Sequence, residues 1–159
     1  MEDQQRDRDV AGRPKNARPR DALGRPLPRD AANAMPEEPP AKTPEEALAR
    51  GIDHFNAGRY FQAHEAWEEG WHPAPEAERD FWQGITQVAV GLVHRGRGNQ
   101  HGSITLLRRG AQRLEGYGQE HMGLRVREIS RWAFETADRI ERHGVDTPIE
   151  VPAIVKEHA

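Results

Sequence analysis

The sequence predicts an all-α protein: a compact bundle of about five helices, preceded by an extended arm rich in proline and arginine. Apolar residues between Thr43 and His143 recur at helical spacing, and no strand pattern competes with them there. Clusters of glycine and proline separate these helical segments. Residues 1–42, in contrast, hold seven of the twelve prolines and almost no large apolar side chain.

Composition divides the chain of 159 residues into three parts. Residues 1–42 are expected to be extended or disordered, residues 43–143 to form the helical domain, and residues 144–159 to form a loose C-terminal tail that contains Pro148 and Pro152. About 100 residues are enough for one hydrophobic core. We therefore expect one domain with two appendages.

The first helix has the clearest start signal. Thr43 stands at the N-cap, Pro44 at the first helical position and Glu46 at the third, which is the arrangement of a capping box. The apolar stripe of this helix is Leu48, Ile52 and Phe55.

Similar signals bound the other helices. Proline after His72 stops the second helix, Asn99 caps the fourth, and Gly144 ends the fifth. The predicted ranges are Arg59 or Tyr60 to Trp71, Glu76 to His94, Gln100 to Leu114, and Leu124 to Arg142.

Composition also excludes several classes of protein. The chain has no cysteine, which rules out disulfides, thiol catalysis and cysteine-bound zinc, and which fits a reducing compartment. It has neither a run of 18 apolar residues nor an apolar N-terminal segment, so we expect no membrane association and no secretory signal. The expected location is the cytoplasm.

The arm carries a basic segment at residues 12–30. Between Arg13 and Arg29 it has six cations and one acid, Asp21. One interpretation is a solvated tail. The other is an arm that docks on its own domain or on a protein partner, anchored by Leu23 and Leu27. Nucleic acid is not the expected partner, because the net charge is -3 and the segment has no aromatic residue to stack on a base.

The second helix carries an unusual polar sequence, AHEAWEEGW at residues 63–71. A helical wheel places His64 in the middle of an aromatic stripe that faces inward, with Glu68 beside it and Glu65 at the edge. On this wheel Gln62, Ala66 and Glu69 lie on the far side, and the aromatic stripe consists of Tyr60, Phe61, Trp67 and Trp71.

Two interpretations of His64 and Glu68 stay open. As residues i and i+4, they can satisfy each other and hold the helix in register. Alternatively, they form a shared pocket with a polar row on the third helix. That row is Gln83, Gln87 and His94, and the sequence does not decide whether it faces the second helix or solvent.

A divalent metal is a low-ranked candidate cofactor of this pocket. His64 and Glu68, with His94 or Glu65 as the third ligand, could hold zinc or iron. Against it, position 68 is Glu where the H-E-x-x-H helix of zinc peptidases has its second His, and no second metal-binding element follows.

Several ordered motifs carry a family resemblance. They are the opening F-x-x-G-x-[YF]-[FW]-x-A-H-E-x-W-E-x-x-W, the middle Q-G-I-x-Q-x-A-x-G-x-x-H, and the close G-N-x-x-G-[AS]-x-x-L-L. Through them the segment from Phe55 to Leu114 resembles the family catalogued as domain of unknown function 309. His101, before Gly102 and Ser103, departs from the plainer small residues of the family pattern.

The resemblance implies a compact all-α bundle and no established activity, so it supplies no catalytic residues. Some family members have a stretch similar to NARPRDALGRPLP at residues 16–28, which favours a docked arm. The motif positions that form the candidate pocket are His64, Glu65, Glu68, Trp71, Gln83, Gln87, His94 and Asn99.

Three functional hypotheses follow. The first is a cytoplasmic helical protein with a pocket for a small ligand or metal around His64 and Glu68. The second is a non-enzymatic interaction module, in which these polar groups only specify helix packing. The third and weakest is a metal-dependent hydrolase. The sequence does not decide whether the protein is an enzyme.

Overall fold

A computed structural model describes residues 38–157 and Arg25 with their side chains, and residues 7–8 and 14–15 by their backbone. The two-residue strands β1 (Asp7–Arg8) and β2 (Pro14–Lys15) pair antiparallel. Five helices follow, which confirms the predicted all-α fold. They are α1 (Pro44–Asn56), α2 (Tyr60–Trp71), α3 (Glu76–Gly96), α4 (Gln100–Glu115) and α5 (Val126–His143).

Both predicted helix caps are present. The Thr43 hydroxyl accepts a hydrogen bond from the Glu46 amide at 3.0 Å, and the Asn99 side chain accepts one from the Gly102 amide at 3.0 Å. The start of α5 lies two residues after the predicted Leu124, because Leu124 instead pairs its backbone with His121. Local sequence signals therefore determine most of the helix ends.

Each helix packs mainly on the next helix in the chain, and α3 and α4 make the most extensive contact. Glycine permits this approach. A Cβ atom built on Gly110 of α4 would lie 2.6 Å from the carbonyl oxygen of Gly84 in α3. At the α1–α2 contact, Gly51 leaves room for the buried indole of Trp67. The core thus depends on small residues as much as on large ones.

The C-terminal segment packs against the helices, so the expectation of a loose tail is wrong for residues 144–157. The side chain of Asn56 donates to the Ile154 carbonyl at 2.9 Å and accepts from the Ile154 amide at 2.8 Å. Ile154 is 7% exposed. Further along, the indole of Trp132 donates to the Glu150 carbonyl at 2.8 Å. These contacts hold the C-terminal segment against α1, the first helix, and against α5, the last.

Within the described part of the chain, no helix combines the length and the apolar character that crossing a bilayer requires.

Candidate functional site

The rotation of α2 differs from the helical wheel. Its buried residues centre on a face of small side chains, and His64 lies roughly 100° from Ala63 on the flank of that face. The placement of Gln62 and Ala66 on the far side is therefore wrong. The physical reason is close packing, because a Cβ atom on Gly70 would lie 2.5 Å from the Trp82 ring. The buried set is Gln62, Ala63, Ala66, Trp67 and Gly70.

His64 and Glu68 form the intrahelical pair that their spacing predicts. The Nε2 atom of His64 lies 3.2 Å from a carboxylate oxygen of Glu68, and Nδ1 lies 2.7 Å from the Phe61 carbonyl. The His64 side chain is 17% exposed and that of Glu68 is 41% exposed. Both ring nitrogens face oxygen acceptors, and only the imidazolium can donate from both. The pair is therefore suited to an ionised histidine.

The pKa values agree with this geometry. Burial by itself lowers the pKa of His64, but the hydrogen bond and charge of Glu68, with smaller contributions that include the Phe61 carbonyl, raise it above its ordinary value of 6.5. The hydrogen bond from His64 in turn holds the pKa of Glu68 below its ordinary value of 4.5, against the effect of burial. Each group stabilises the charged form of the other.

These directions predict how the pair contributes to stability as the pH changes. The His64 contribution is complete below pH 6.5 and is lost as the pH rises through the raised pKa. The Glu68 contribution is complete above pH 4.5 and is lost as the pH falls through the lowered pKa. The stability difference between wild type and His64→Gln should therefore be largest between these two values. Solvent-accessible ion pairs at i and i+4 of a helix contribute about 0.3–0.5 kcal/mol.

Urea unfolding at pH 5.5 and at pH 8.5 measures this difference, with Glu128→Gln on α5 as a control that leaves the pair intact. A difference between wild type and His64→Gln that grows toward pH 8.5 would contradict the assignment of the imidazolium.

The polar row on α3 contacts α4. Gln87 accepts a hydrogen bond from Arg113 at 3.1 Å, and Arg113 also pairs with Asp80 at 2.6 Å. His94 packs over Gly102. A Cβ atom built on Gly102 would lie 2.9 Å from the imidazole ring of His94. Convergence of this row with His64 and Glu68 stays a prediction.

His94 and Asn99 meet at the α3–α4 turn. The Asn99 oxygen caps α4, so its nitrogen faces His94 and donates to Nδ1 at 3.0 Å. Burial and the charge of Arg97 lower the pKa of His94. A neutral ring whose Nδ1 lone pair is engaged is a poor metal ligand through that atom.

The other candidate residues occupy different positions. Glu65 is exposed and its charge raises the pKa of His64 slightly, whereas Gln83 is half-buried on α3. Trp71, also half-buried, stacks on His72 with ring centres 5.9 Å apart.

The predicted metal site is not formed in the described part of the protein. No group of three His, Cys, Asp or Glu side chains there is arranged to hold a metal ion. The set of His64, Glu68 and His94 therefore does not come together as a ligand triad. Grooves of about 480 and 520 Å³ lie instead along α5, lined by residues such as Arg131, Glu135 and Arg139.

A denser polar network lies on α1 and was not predicted. Arg50 pairs with Glu38 at 3.2 Å and with Glu46 at 3.1 Å. His54 is 8% exposed and bonds through Nε2 to Glu38. Its Nδ1 lies 2.9 Å from the Nε atom of Arg59, which can only donate, so the proton of the ring is on Nε2.

This network holds an extended segment of the chain by its backbone. The guanidinium of Arg50 donates to the carbonyl of Pro39, and the amide of Ala41 donates to a carboxylate oxygen of Glu69 at 2.7 Å. The helical wheel placed Glu69 on the far side from the core, toward water, but its carboxylate binds the Ala41 amide of this segment. We call the surface that contacts the segment the α1–α2 face. It consists of Glu46, Arg50, His54 and Glu69.

A sequence signal for this face does exist. Glu46, Arg50 and His54 follow one another at intervals of four, so they line one side of α1. An acid followed by two prolines, Glu38 to Pro40, marks an extended segment just upstream. The apolar stripe of α1 is enough to predict the helix, so this polar row adds nothing to the prediction of secondary structure.

Comparisons with known proteins agree with the motifs. Residues 48–106 match the family model described as Domain of unknown function (DUF309). The chain is 32% identical over 98 residues to "Uncharacterized protein YpuF" of Bacillus subtilis (strain 168), a match that covers 56% of this chain. The chain spans about 55% of the length of that curated relative. No solved structure matches the chain significantly.

Proposed function

We propose that the helical domain of this chain, whose residues 48–106 match the family described as domain of unknown function (DUF309), is a polypeptide-binding module and that its α1–α2 face receives an extended segment. The family name states no activity, and the proposal therefore rests on geometry.

One observation carries the proposal: two side chains of the α1–α2 face bind main-chain groups of an extended segment. Arg50 binds the Pro39 carbonyl and Glu69 binds the Ala41 amide, whatever side chains stand at those positions. Hydrogen bonds that involve a charged partner are the stronger class, at about 1.5–3 kcal/mol each.

The segment also offers features that such a face can select. Glu38 fits between His54 and Arg50, so an acid is favoured at that position. Pro39 and Pro40 fix an extended backbone before binding, which lowers the entropy lost on docking. The expected ligand is therefore an extended polypeptide with an acid followed by proline, and the chain supplies one such segment itself.

The small-ligand hypothesis has less support. Both ring nitrogens of His64 are engaged, by Glu68 and by the Phe61 carbonyl, and the contacts of Gln87 and His94 run to α4 and to the α3–α4 turn. A metal-dependent hydrolase requires a ligand set that the described residues do not provide.

A peptide of residues 36–43 tests the proposal. The receiver is the full chain with Glu38→Lys, Pro39→Gly and Pro40→Gly, because a lysine beside Arg50 and His54 expels the native segment. In an NMR titration we expect the amide chemical shifts of residues 50, 54 and 69 to change and to saturate, with a Kd of about 1 mM or tighter. Wild type should bind the peptide more weakly, because its own tethered segment competes; at an effective concentration of about 1 mM the apparent Kd rises about twofold for an intrinsic Kd of about 1 mM and about tenfold for one of about 0.1 mM.

The same receiver with Arg50→Ala is the matched control and should lose the shifts. A receiver that gives no shifts, or whose shifts are unchanged by Arg50→Ala, would rule out binding at the α1–α2 face.

A further inference from the structure

The segment bound at the α1–α2 face has a direction. Glu38 lies against His54 in the last turn of α1, and His54 also contacts Arg59 at the start of α2. Residue 41 lies farther on, against Glu69 near the end of α2. Glu38, the first described residue of this segment, therefore lies at the end of the α1–α2 face that is nearer the start of α2.

A second surface of α2 lies beside that point. We call it the outer face of α2, formed by Phe61, His64, Glu65 and Glu68. This face carries the carboxylates of Glu65 and Glu68 and no lysine or arginine, and His64 pairs with Glu68. The ring of Phe61 lies 4.9 Å from that of His64 and is half-buried, so the face combines acidic groups with apolar area.

The sequence upstream has the complementary chemistry. Residues 13–29 carry six cations against one acid, together with Leu23 and Leu27. Prolines at 14, 19, 26 and 28 favour an extended chain that lies along a surface. Opposite net charges on two surfaces favour their association.

The linking chain is long enough. Eight residues, 30–37, separate Arg29 from Glu38, and eight extended residues span up to about 26–29 Å. A helix of 12 residues such as α2 is about 18 Å long. The basic segment can therefore reach every part of the outer face of α2.

The other long exposed helix offers no comparable surface. Along α5 acids and bases alternate, as in Arg127 with Glu128 and Asp138 with Arg139, and Arg108 of α4 already pairs with Asp138 and Glu141. Mixed charge gives a strongly basic segment no single place to dock.

We propose that the basic segment of residues 13–29 docks on the outer face of α2 of its own chain, with its arginines on Glu65 and Glu68 and its leucines against Phe61. The inference deepens the proposed function, because it names the segment that continues the polypeptide bound at the α1–α2 face. A partner polypeptide that uses both faces must displace this arm.

The full chain has no cysteine, so one nitroxide label can be placed at Ala22→Cys, which keeps both leucines of the arm. In NMR spectra we expect the nitroxide to broaden the amide signals of residues 61, 64, 65 and 68, which are then lost, and to leave the signals of α5 unchanged. The loss should diminish in 1 M salt, where the Debye length is about 3 Å. Glu65→Lys should abolish it, whereas the matched change Glu135→Lys on α5 should leave it unchanged.

A uniform loss of signal, or loss confined to other helices, would overturn the proposal. So would loss that arises when labelled chains are mixed with unlabelled, isotope-enriched chains, because the arm would then dock between molecules. If the outer face of α2 gives no loss while the Ala41 amide stays protected from exchange, this inference fails and the proposed function stands.

Discussion

Replacing Trp67 by alanine is expected to lower the free energy of unfolding by about 3–5 kcal/mol. The indole is fully buried, packs at 5.9 Å from the Phe55 ring, and fills the space left by Gly51. Its Nε1 donates to the Leu48 carbonyl at 3.2 Å. The substitution leaves a cavity between α1 and α2, and domains of this size have only about 5–15 kcal/mol of stability.

Chemical denaturation measures this loss. Trp132→Ala is the control, because Trp132 is half-buried and its cavity opens toward solvent, so its loss should be clearly smaller. Trp67→Phe keeps most of the ring volume and should cost less than Trp67→Ala. A loss below about 1 kcal/mol for Trp67→Ala is typical of surface substitutions and would contradict the packing described for the α1–α2 contact.

The fold was predictable because its signals are local. The Thr43 cap, the Asn99 cap and the prolines after His72 act within a few residues of where they stand. The match of residues 48–106 to the family model confirms the resemblance that the motifs indicated.

The rotation of α2 could not be obtained in the same way. The helical wheel gave weight to large aromatic residues, but α2 lies between two helices that require a close approach. Ala63, Ala66 and Gly70 therefore form the buried face, and His64 is displaced to its flank. A helical wheel that gives most weight to large side chains does not detect a buried face of alanine and glycine.

The contacts of the C-terminal segment could not be predicted from the sequence either. Asn56 and Ile154 are 98 positions apart, and their paired hydrogen bonds depend on the whole helical array. Neither residue carries a local signal for the contact. The same holds for Glu69 and Ala41, which are 28 positions apart.

We claim above all that the α1–α2 face binds the main chain of an extended segment. The most direct measurement is hydrogen exchange at the amide of Ala41, which donates to Glu69 at 2.7 Å. A hydrogen bond to a charged group contributes about 1.5–3 kcal/mol, which corresponds to roughly a ten- to hundredfold change in exchange rate.

We therefore expect Glu69→Ala to accelerate exchange at Ala41 by about ten- to hundredfold. Glu135→Ala, which removes an exposed carboxylate on α5, is the matched control and should leave the rate unchanged. An Ala41 amide that exchanges at the rate of an unprotected chain in the wild type, or at the same rate with and without the Glu69 carboxylate, would contradict the claim.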